Sequence, residues 1–525
     1  MSVDFDAIVL GGGPNSLTAA ATLAKAGLRV GLFAEREMLS GEASTEELIP
    51  GFRFNTGYLD GGLFEEEIIQ DLNLADHGLR QLESQVSAFA PSLDGPAITL
   101  WRELERSQAA IAAHSAADAQ AFARWQSMLA RYAGQLSKMA RLAPPSLNYK
   151  TPRHLWKWAG VALGMRRMGG AEMMNFLRVL PMSAKRLLDE QFQSDALKGL
   201  LSVPAISNLM QGPRAAGTAF MLMYQQMGGD AGGFRRSRVF EGGVGALSQA
   251  LGKACEQAGV QIHMAAKLET IVVKGNRARG IRLANGESLS ARVVLSGLEA
   301  RRTFFDFVKP YRIEPRFMRR LRALKLKGST ASVHLALSAT PEFPSTERDE
   351  SLMGSIVICP SLDYAEKAYD AAKYERSSPQ PVLEARIPSL LDSSLAPAGK
   401  QAMSMHFRYA PYHLREGDWD EQRDKLAETA IATLEAHAPG LRNLVLDSRV
   451  ITPLDYERDY GLTEGSLSQG QMSLDQLLFM RPVPGFAAYR SPVDSLYLCG
   501  AAAHPGGGLS GLPGRNAARQ VLQEL

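Results

Sequence analysis

The chain opens on an apolar run, Phe5-Asp-Ala-Ile-Val-Leu10, followed by Gly11-Gly-Gly13 and an alanine-rich stretch from Leu17 to Ala26. The run has the length of a buried strand, the stretch keeps helical spacing, and a second apolar run, Arg29-Val-Gly-Leu-Phe33, supplies another strand. Helical spacing returns over 65–79, where Ile68, Ile69, Leu72 and Leu74 precede Gly78, and over about 100–140, up to the turn at Ala143-Pro-Pro145. Residues 246–258 read as a helix leading into the strands Gly259–His263, Leu268–Val273, Gly280–Leu283 and Ala291–Ser296, with a hairpin turn at Asn285-Gly286. Alternating apolar and small or polar positions then mark Ala331–Leu337, Gly354–Cys359 and Met403–Arg408 as strands of a sheet with one face covered. A helix over Asp420–Ala438 stops at Pro439-Gly440, and the chain ends on an apolar strand, Leu496–Cys499, a second glycine cluster and a terminal helix from Gly514.

This order predicts an α/β unit plus an α+β unit. The strand–helix–strand–meander of 231–300 and the terminal strand and helix of 485–525 complete the unit begun by 1–90. The mainly helical 91–230 and the sheet-and-helix 301–484 are inserted into it, which makes the first domain discontinuous. No internal repeat or low-complexity tract interrupts this plan.

Composition excludes more than it identifies. At 525 residues the chain is too long for one core, and 45% hydrophobic with 22% charged residues is a globular balance. A net charge of +3 gives no warrant for nucleic-acid binding. Cys255, Cys359 and Cys499 are far apart and odd in number, which suggests a reducing compartment and offers no metal-ligand spacing. The first strand begins within four residues, so no signal peptide is expected, and no apolar run reaches a membrane span. The expected location is cytoplasmic, with at most peripheral membrane contact. The candidate segment for that contact is 153–168, where Arg153-His-Leu-Trp-Lys-Trp158 and Met165-Arg-Arg-Met168 combine Trp and basic residues as an interfacial helix does; the alternative is a helix packed over a substrate tunnel. Met173, Met174, Met182, Met210, Met221, Met223 and Met227 suit either an apolar ligand pocket or plain core.

The chemistry concentrates in the first unit. A glycine turn that follows a strand and opens a helix seats a dinucleotide pyrophosphate, because the free N–H groups and dipole of the helix N-terminus favour an anion. Gly11 serves the tight turn and Gly13 the approach of backbone to phosphate, while Ser16 occupies the third glycine position. The acidic residue that binds the ribose is due at Ala34, and Glu35 stands one residue later; a displaced turn would bring Glu35 to the ribose. The second cluster, Gly500 and Gly506 to Gly511, again implies backbone close to a flat or anionic ligand.

With these strings in view, the chain resembles the FAD-dependent phytoene desaturase and carotenoid isomerase family, and within it the pyridine nucleotide-disulphide oxidoreductase domain-containing protein 2 group. The resemblance covers nearly the whole chain and rests on residues 11–16, 240–248, 409–420, 472–476, 481–485 and 499–508. It implies a glutathione-reductase-like two-domain fold with FAD in the N-terminal site. Position by position, Gly11, Gly13 and Asn15 would line the pyrophosphate, Arg36 and Gly41 would lie toward the flavin, and Leu268 would meet the adenine through its backbone. Gly500, Gly507, Gly508, Leu509 and Gly511 would complete the contacts. Ser16, Ala34, Ser466, Ser468, Gln469 and Gln471 depart from the family's pattern.

The resemblance implies hydride transfer from a C–H bond of a small lipophilic substrate to flavin N5, as dehydrogenation, desaturation or flavin-assisted isomerisation. His504, beside the second glycine cluster, is the candidate base, against the alternative of a turn histidine bonded to backbone. Two other readings stand beside this one: a catalytically silent flavoprotein-fold scaffold for a partner or membrane, and an FAD-dependent amine or alcohol oxidase. Nothing in the sequence fixes an oligomeric state.

Overall fold

The computed structural model describes residues 3–144, 153–229, 232–309, 313–346 and 349–525, with the side chains of 153–157 and 349 also outside the description. The turn at Pro145 and the Trp156 and Lys157 side chains therefore lie outside the described residues. Strand β1, Phe5–Leu10, helix α1, Pro14–Lys25, and strand β2, Val30–Phe33, form where the hydrophobic pattern places them.

β1 lies at the centre of a seven-stranded sheet. It pairs in parallel with β2 on one side and with Ser288–Ser296 on the other, in register from Phe5 opposite Ala291 to Leu10 opposite Ser296. Gln261–His263 extends the sheet beyond β2, the antiparallel strands Arg277–Leu283 and Leu268–Lys274 extend it beyond Ser288–Ser296, and Leu496–Leu498 pairs with the C-terminal half of Ser288–Ser296. Central parallel strands are buried on both faces, hence their unbroken apolar runs. α1 and the helices Gly245–Gln257 and Leu512–Leu522 cover one face. Gly514 is what lets the last of these approach α1, because a side chain there would collide with the Asn15 carbonyl.

The second seven-stranded sheet runs Val445–Ile451, Thr330–Leu337, Gln401–Arg408, Leu383–Arg386, Ser355–Ile358, Val86–Ala90, Ile98–Trp101. Residues 86–90, expected in the first unit, belong here instead, with Ser355 opposite Ala88 and Ile356 opposite Phe89. Their hydrophobic pattern reports a strand but not its partner. The expectation of one covered face is also corrected: Thr330–Leu337 is buried along its whole length. Its apolar face packs on the helix Trp419–Glu435, while its polar face meets the first unit: Ser332 Oγ is 2.7 Å from Tyr456 Oη, which donates to the Thr56 carbonyl at 2.8 Å, and the His334 ring lies 5.2 Å from that of Phe54.

Helices between Leu104 and Tyr224 form the remaining layer, and Met221, Met223 and Met227 are plain core of it. A buried ion cluster joins the first unit to the second sheet. Asp60 pairs with Arg235 at 2.8 Å and Arg386 at 3.0 Å, and Glu384 pairs with Arg235 and Arg408, each at 2.7 Å. These arginines hold the Asp60 and Glu384 carboxyls below their ordinary range despite burial.

Candidate dinucleotide site

A cleft of about 720 Å³ lies against the C-terminal ends of β1, β2 and Ser288–Ser296. Ligands of open α/β sheets bind at this edge. Its floor is the glycine turn and the start of α1. No side chain caps this helix and no acidic residue stands in its first turn, so its N-terminal N–H groups and dipole remain available to an anion.

Gly13 has φ −79° and ψ 166°, an extended conformation open to any residue, and a Cβ there would meet only the Ser40 carbonyl oxygen, 3.9 Å away. The protein's own packing therefore gives no reason for glycine at this position. Gly12 differs, since its Cβ would stand 3.0 Å from that of Ala34. Asn15 also lines the cleft, and its Oδ1 is buried without a hydrogen-bond partner among the described residues.

Ser16 fits because Gly297 makes room. Its hydroxyl donates to the Leu10 carbonyl at 3.2 Å and fills the space a Gly297 side chain would need, so the close strand–helix packing usual at the third glycine is here shared with Gly297. Ala34 is sealed beneath Gly12, with its N–H and C=O bonded to His263 and Ala266 at 2.9 Å each. The next side chain, Glu35, lines the cleft and remains half exposed, 3.6 Å from Arg302 Nη2. Arg36 lines the cleft with its guanidinium already engaged: it donates to the Gly41 carbonyl at 3.0 Å and to Glu46 at 3.1 Å, and lies 4.5 Å over the Tyr460 ring. It braces the loop on which Gly41 packs against Gly13.

Several expected positions are not brought to the cleft. Leu268 begins a strand paired with Leu283 and is absent from the cleft wall. Of the C-terminal cluster, Leu509 reaches the wall but Gly500, Gly507, Gly508 and Gly511 do not. Protein neighbours account for these glycines: a side chain at Gly500 would strike the Gly297 carbonyl, at Gly507 Ser468, and at Gly511 Ile68 and Phe64. The Gly507 and Gly508 carbonyls accept from Tyr224 Oη at 2.8 Å and from Leu63 N at 3.0 Å.

His504 is corrected most plainly. It is fully buried, its Nε2 lies 3.2 Å from the Met139 carbonyl oxygen, and it does not line the cleft. Burial lowers its pKa to about 4, which keeps the ring neutral. It is a structural histidine bonded to backbone. Arg481 is the organiser that the sequence did not single out. Buried without a carboxylate partner among the described residues, it donates to the carbonyls of Ala501 at 2.8 Å, Gln476 and Gly470 at 3.3 Å each, and Ser468. It thereby fixes the loops that place Gln469 and Ala501 in the cleft wall. Gln469 in turn bridges the Gly297 carbonyl and the Ala502 N–H, at 3.2 and 3.1 Å.

The opposite wall carries residues that no motif marked. Glu299, Arg301, Arg302 and Phe305 follow the strand Ser288–Ser296, and residues 457–463 descend from the helix Pro453–Tyr460. Thr463 Oγ1 donates to Glu299 at 3.1 Å and Arg302 Nη1 to the Gly461 carbonyl at 3.1 Å, so these two segments close on each other. Burial raises the Glu299 carboxyl above its ordinary value. The apolar strand ending at Ser296-Gly297 pointed to part of this wall, whereas nothing local marks 457–463.

Comparison with known proteins agrees with this geometry. Residues 9–58 match the NAD(P)-binding Rossmann-like domain. The chain is 33% identical to pyridine nucleotide-disulfide oxidoreductase domain-containing protein 2 of Rattus norvegicus, over 99% of this chain and 94% of that protein. It is 24% identical to a limonene dehydrogenase component of Castellaniella defragrans over 99% of this chain and 95% of that one. With phytoene desaturase (lycopene-forming) of Pantoea ananas it shares 25% identity over 54% of this chain and 56% of the other. An oxidoreductase structure from Methanosarcina mazei superposes with a TM-score of 0.61 at 16% identity, covering 98% of this chain and 99% of that one. Putrescine oxidase does so at 0.58 and 13%, covering 99% and 98%. The fold is thus that of these oxidoreductases, with a Rossmann-like domain. At 33% identity along almost its entire length, the chain belongs to the pyridine nucleotide-disulfide oxidoreductase domain-containing protein 2 family, within the wider FAD-dependent oxidoreductase family of the phytoene desaturases.

Proposed function

We propose that the chain binds FAD in the cleft and oxidises a C–H bond of a lipophilic substrate by hydride transfer, through a discontinuous cofactor domain into which the helical layer and the second sheet are inserted. The observation that carries the reading is Gly13, a glycine that the fold itself does not require, at the uncapped start of α1. A phosphate brought against that backbone supplies the reason, because only a residue without Cβ lets it reach the N–H groups. The free helix terminus and the unpartnered Asn15 Oδ1 suit the donors and acceptors of a dinucleotide.

When bound, FAD supplies a hydride acceptor, which no side chain of the protein offers. The chain's residues position it. Gly13 and the α1 terminus would hold the pyrophosphate and Glu35 would be the acid for the ribose, while Arg36 braces the loop of Gly41 and Leu509 closes the wall. The lipophilic substrate class is taken from relatives named for limonene and phytoene. The helix Arg153–Arg167 adds a second element. Leu163 and Met174, on either side of Arg166 and Arg167 in sequence, are exposed, as is Phe479, whose ring lies 5.7 Å from that of Trp158, and we read this segment as resting on a lipid surface. Among the described residues no helix is long and apolar enough to cross a membrane.

The test is anaerobic. Protein loaded with FAD is mixed with a monoterpene, a polyene, an alcohol and an amine, and bleaching of the flavin spectrum is followed. Bleaching by the hydrocarbons supports the reading. Bleaching by the amine alone replaces it with the oxidase reading, and no uptake of FAD leaves the scaffold.

A further inference from the structure

Glu42 stands in the loop that packs on the phosphate-binding turn. The preceding residue, Gly41, packs against Gly13, where a Cβ would lie 3.6 Å from the Gly13 Cα, and both Gly41 and Glu42 line the cleft. Its backbone is fixed by the Gly57 N–H, which donates to the Glu42 carbonyl at 3.0 Å, and Gly57 leaves no room behind the side chain. The carboxyl has neither an ion-pair nor a hydrogen-bonded side-chain partner among the described residues. Arg36, its nearest cation, is committed to Glu46 and to the Gly41 carbonyl. A half-buried, unpaired carboxylate beside a site shaped for a pyrophosphate would repel that ligand. Resting on the FAD reading, we propose that Glu42 takes up one proton from solvent when the pyrophosphate-bearing cofactor enters, so that cofactor affinity falls as pH rises.

The surroundings support this assignment. Burial raises the Glu42 carboxyl to about 7, only partly opposed by its own backbone N–H and by Arg36, so the group is part protonated at neutral pH before any anion arrives. Tyr58 on the adjoining segment is pushed well above the ordinary phenol range and stays neutral, as do Tyr224 and Tyr456. Across the cleft, Glu299 accepts from the Arg301 and Arg302 N–H groups and from Thr463, and Glu457 accepts from Tyr412 and the Glu464 N–H. Glu35, Arg301, Arg302, Asp306, Arg458 and Asp459 complete the charged lining, and no histidine lines it among the described residues. A bound dianion raises the Glu42 pKa further, because like charge disfavours ionisation. Linkage then fixes the sign: affinity is constant while Glu42 is already protonated in the free protein, and it weakens toward tenfold per pH unit above the free value.

FAD affinity is measured from pH 5.5 to 8.5 by quenching of flavin fluorescence, for the wild type and for Glu42→Gln, which mimics the protonated form. The wild-type Kd should be flat at low pH and rise toward tenfold per unit above about 7, while the variant binds as the wild type does at pH 5.5 and stays flat. Should the variant not fold, calorimetry of the wild type in two buffers of different ionisation enthalpy counts the proton directly, with uptake near one per FAD at pH 8 and near zero at pH 5.5. FAD binding that is independent of pH, or a Glu42→Gln profile that keeps the slope, overturns the assignment of Glu42 alone. Failure to bind FAD at every pH overturns it together with the cofactor reading.

Discussion

Gly13→Ala separates the demands of the fold from those of the ligand. At φ −79° and ψ 166° alanine is unstrained, its methyl carbon meets nothing closer than the Ser40 oxygen at 3.9 Å, and no side-chain cap is lost. Stability should therefore change by less than about 1 kcal/mol, since Gly→Ala at a compatible position alters mainly the unfolded chain. The ligand has no such freedom. A phosphate oxygen accepting from the N–H groups at the start of α1 must approach to about 2.9 Å, and the added methyl stands in that approach. Losing two charge-assisted hydrogen bonds at roughly 1.5–3 kcal/mol each amounts to about 3–6 kcal/mol, or a Kd raised by at least about 100-fold. Fluorescence titration with FAD gives the affinity and thermal unfolding of the apoprotein gives the control. An unchanged midpoint with a Kd within about threefold of wild type would refute the argument that the glycine exists for the phosphate.

Glu35→Ala should weaken FAD binding by about 2- to 30-fold in the same titration, because ribose hydrogen bonds to a carboxylate are worth roughly 1.5–3 kcal/mol and release of the exposed pair with Arg302 returns about 1; an unchanged Kd sinks the displaced-acid reading. Arg481→Met removes the donor of several buried carbonyls and should cost about 3–5 kcal/mol, seen as a thermal midpoint lower by about 3–5 °C. His334 and His504, held neutral by burial at about 3 and about 4, and His406, also driven down by burial, take protons in the unfolded chain first. Each costs stability as pH falls below about 6.5, up to about 1.4 kcal/mol per pH unit, and the loss stops below the folded value. The thermal midpoint should thus decline between pH 6.5 and 5, and less steeply in His504→Gln. The Asp60 and Glu384 carboxyls, depressed in the folded state, contribute fully above their unfolded values near 4 and lose that contribution only at lower pH.

The elements that position the cleft are legible where the signal is local. β1 and α1 form as the hydrophobic pattern and glycine turn dictate, and the strands of 261–263, 288–296 and 496–498 join the sheet of β1 in parallel, as apolar runs buried on both faces require. Partnership over long sequence separation is not legible. Residues 86–90 pair with 355–356, and the wall at 457–463 meets Glu299 through contacts that no periodicity reports. Glycine content is ambiguous for the same reason. Gly13 and Gly507 look alike in sequence, yet one faces an open cleft and the other the Ser468 side chain. His504 stands beside a glycine cluster, but its ring turns inward to Met139. Glu42 carries no signal of its own because an acidic residue in a small-residue loop is ordinarily a solvated charge; its burial depends on Gly57 behind it.

The central claim is that the α1 terminus and Gly13 hold FAD. The most direct measurement is the absorbance spectrum of the purified protein after incubation with FAD at pH 6 and removal of free flavin. The account predicts protein-bound flavin bands at one FAD per chain, lost in Gly13→Ala. A folded wild-type chain that retains no flavin would contradict it.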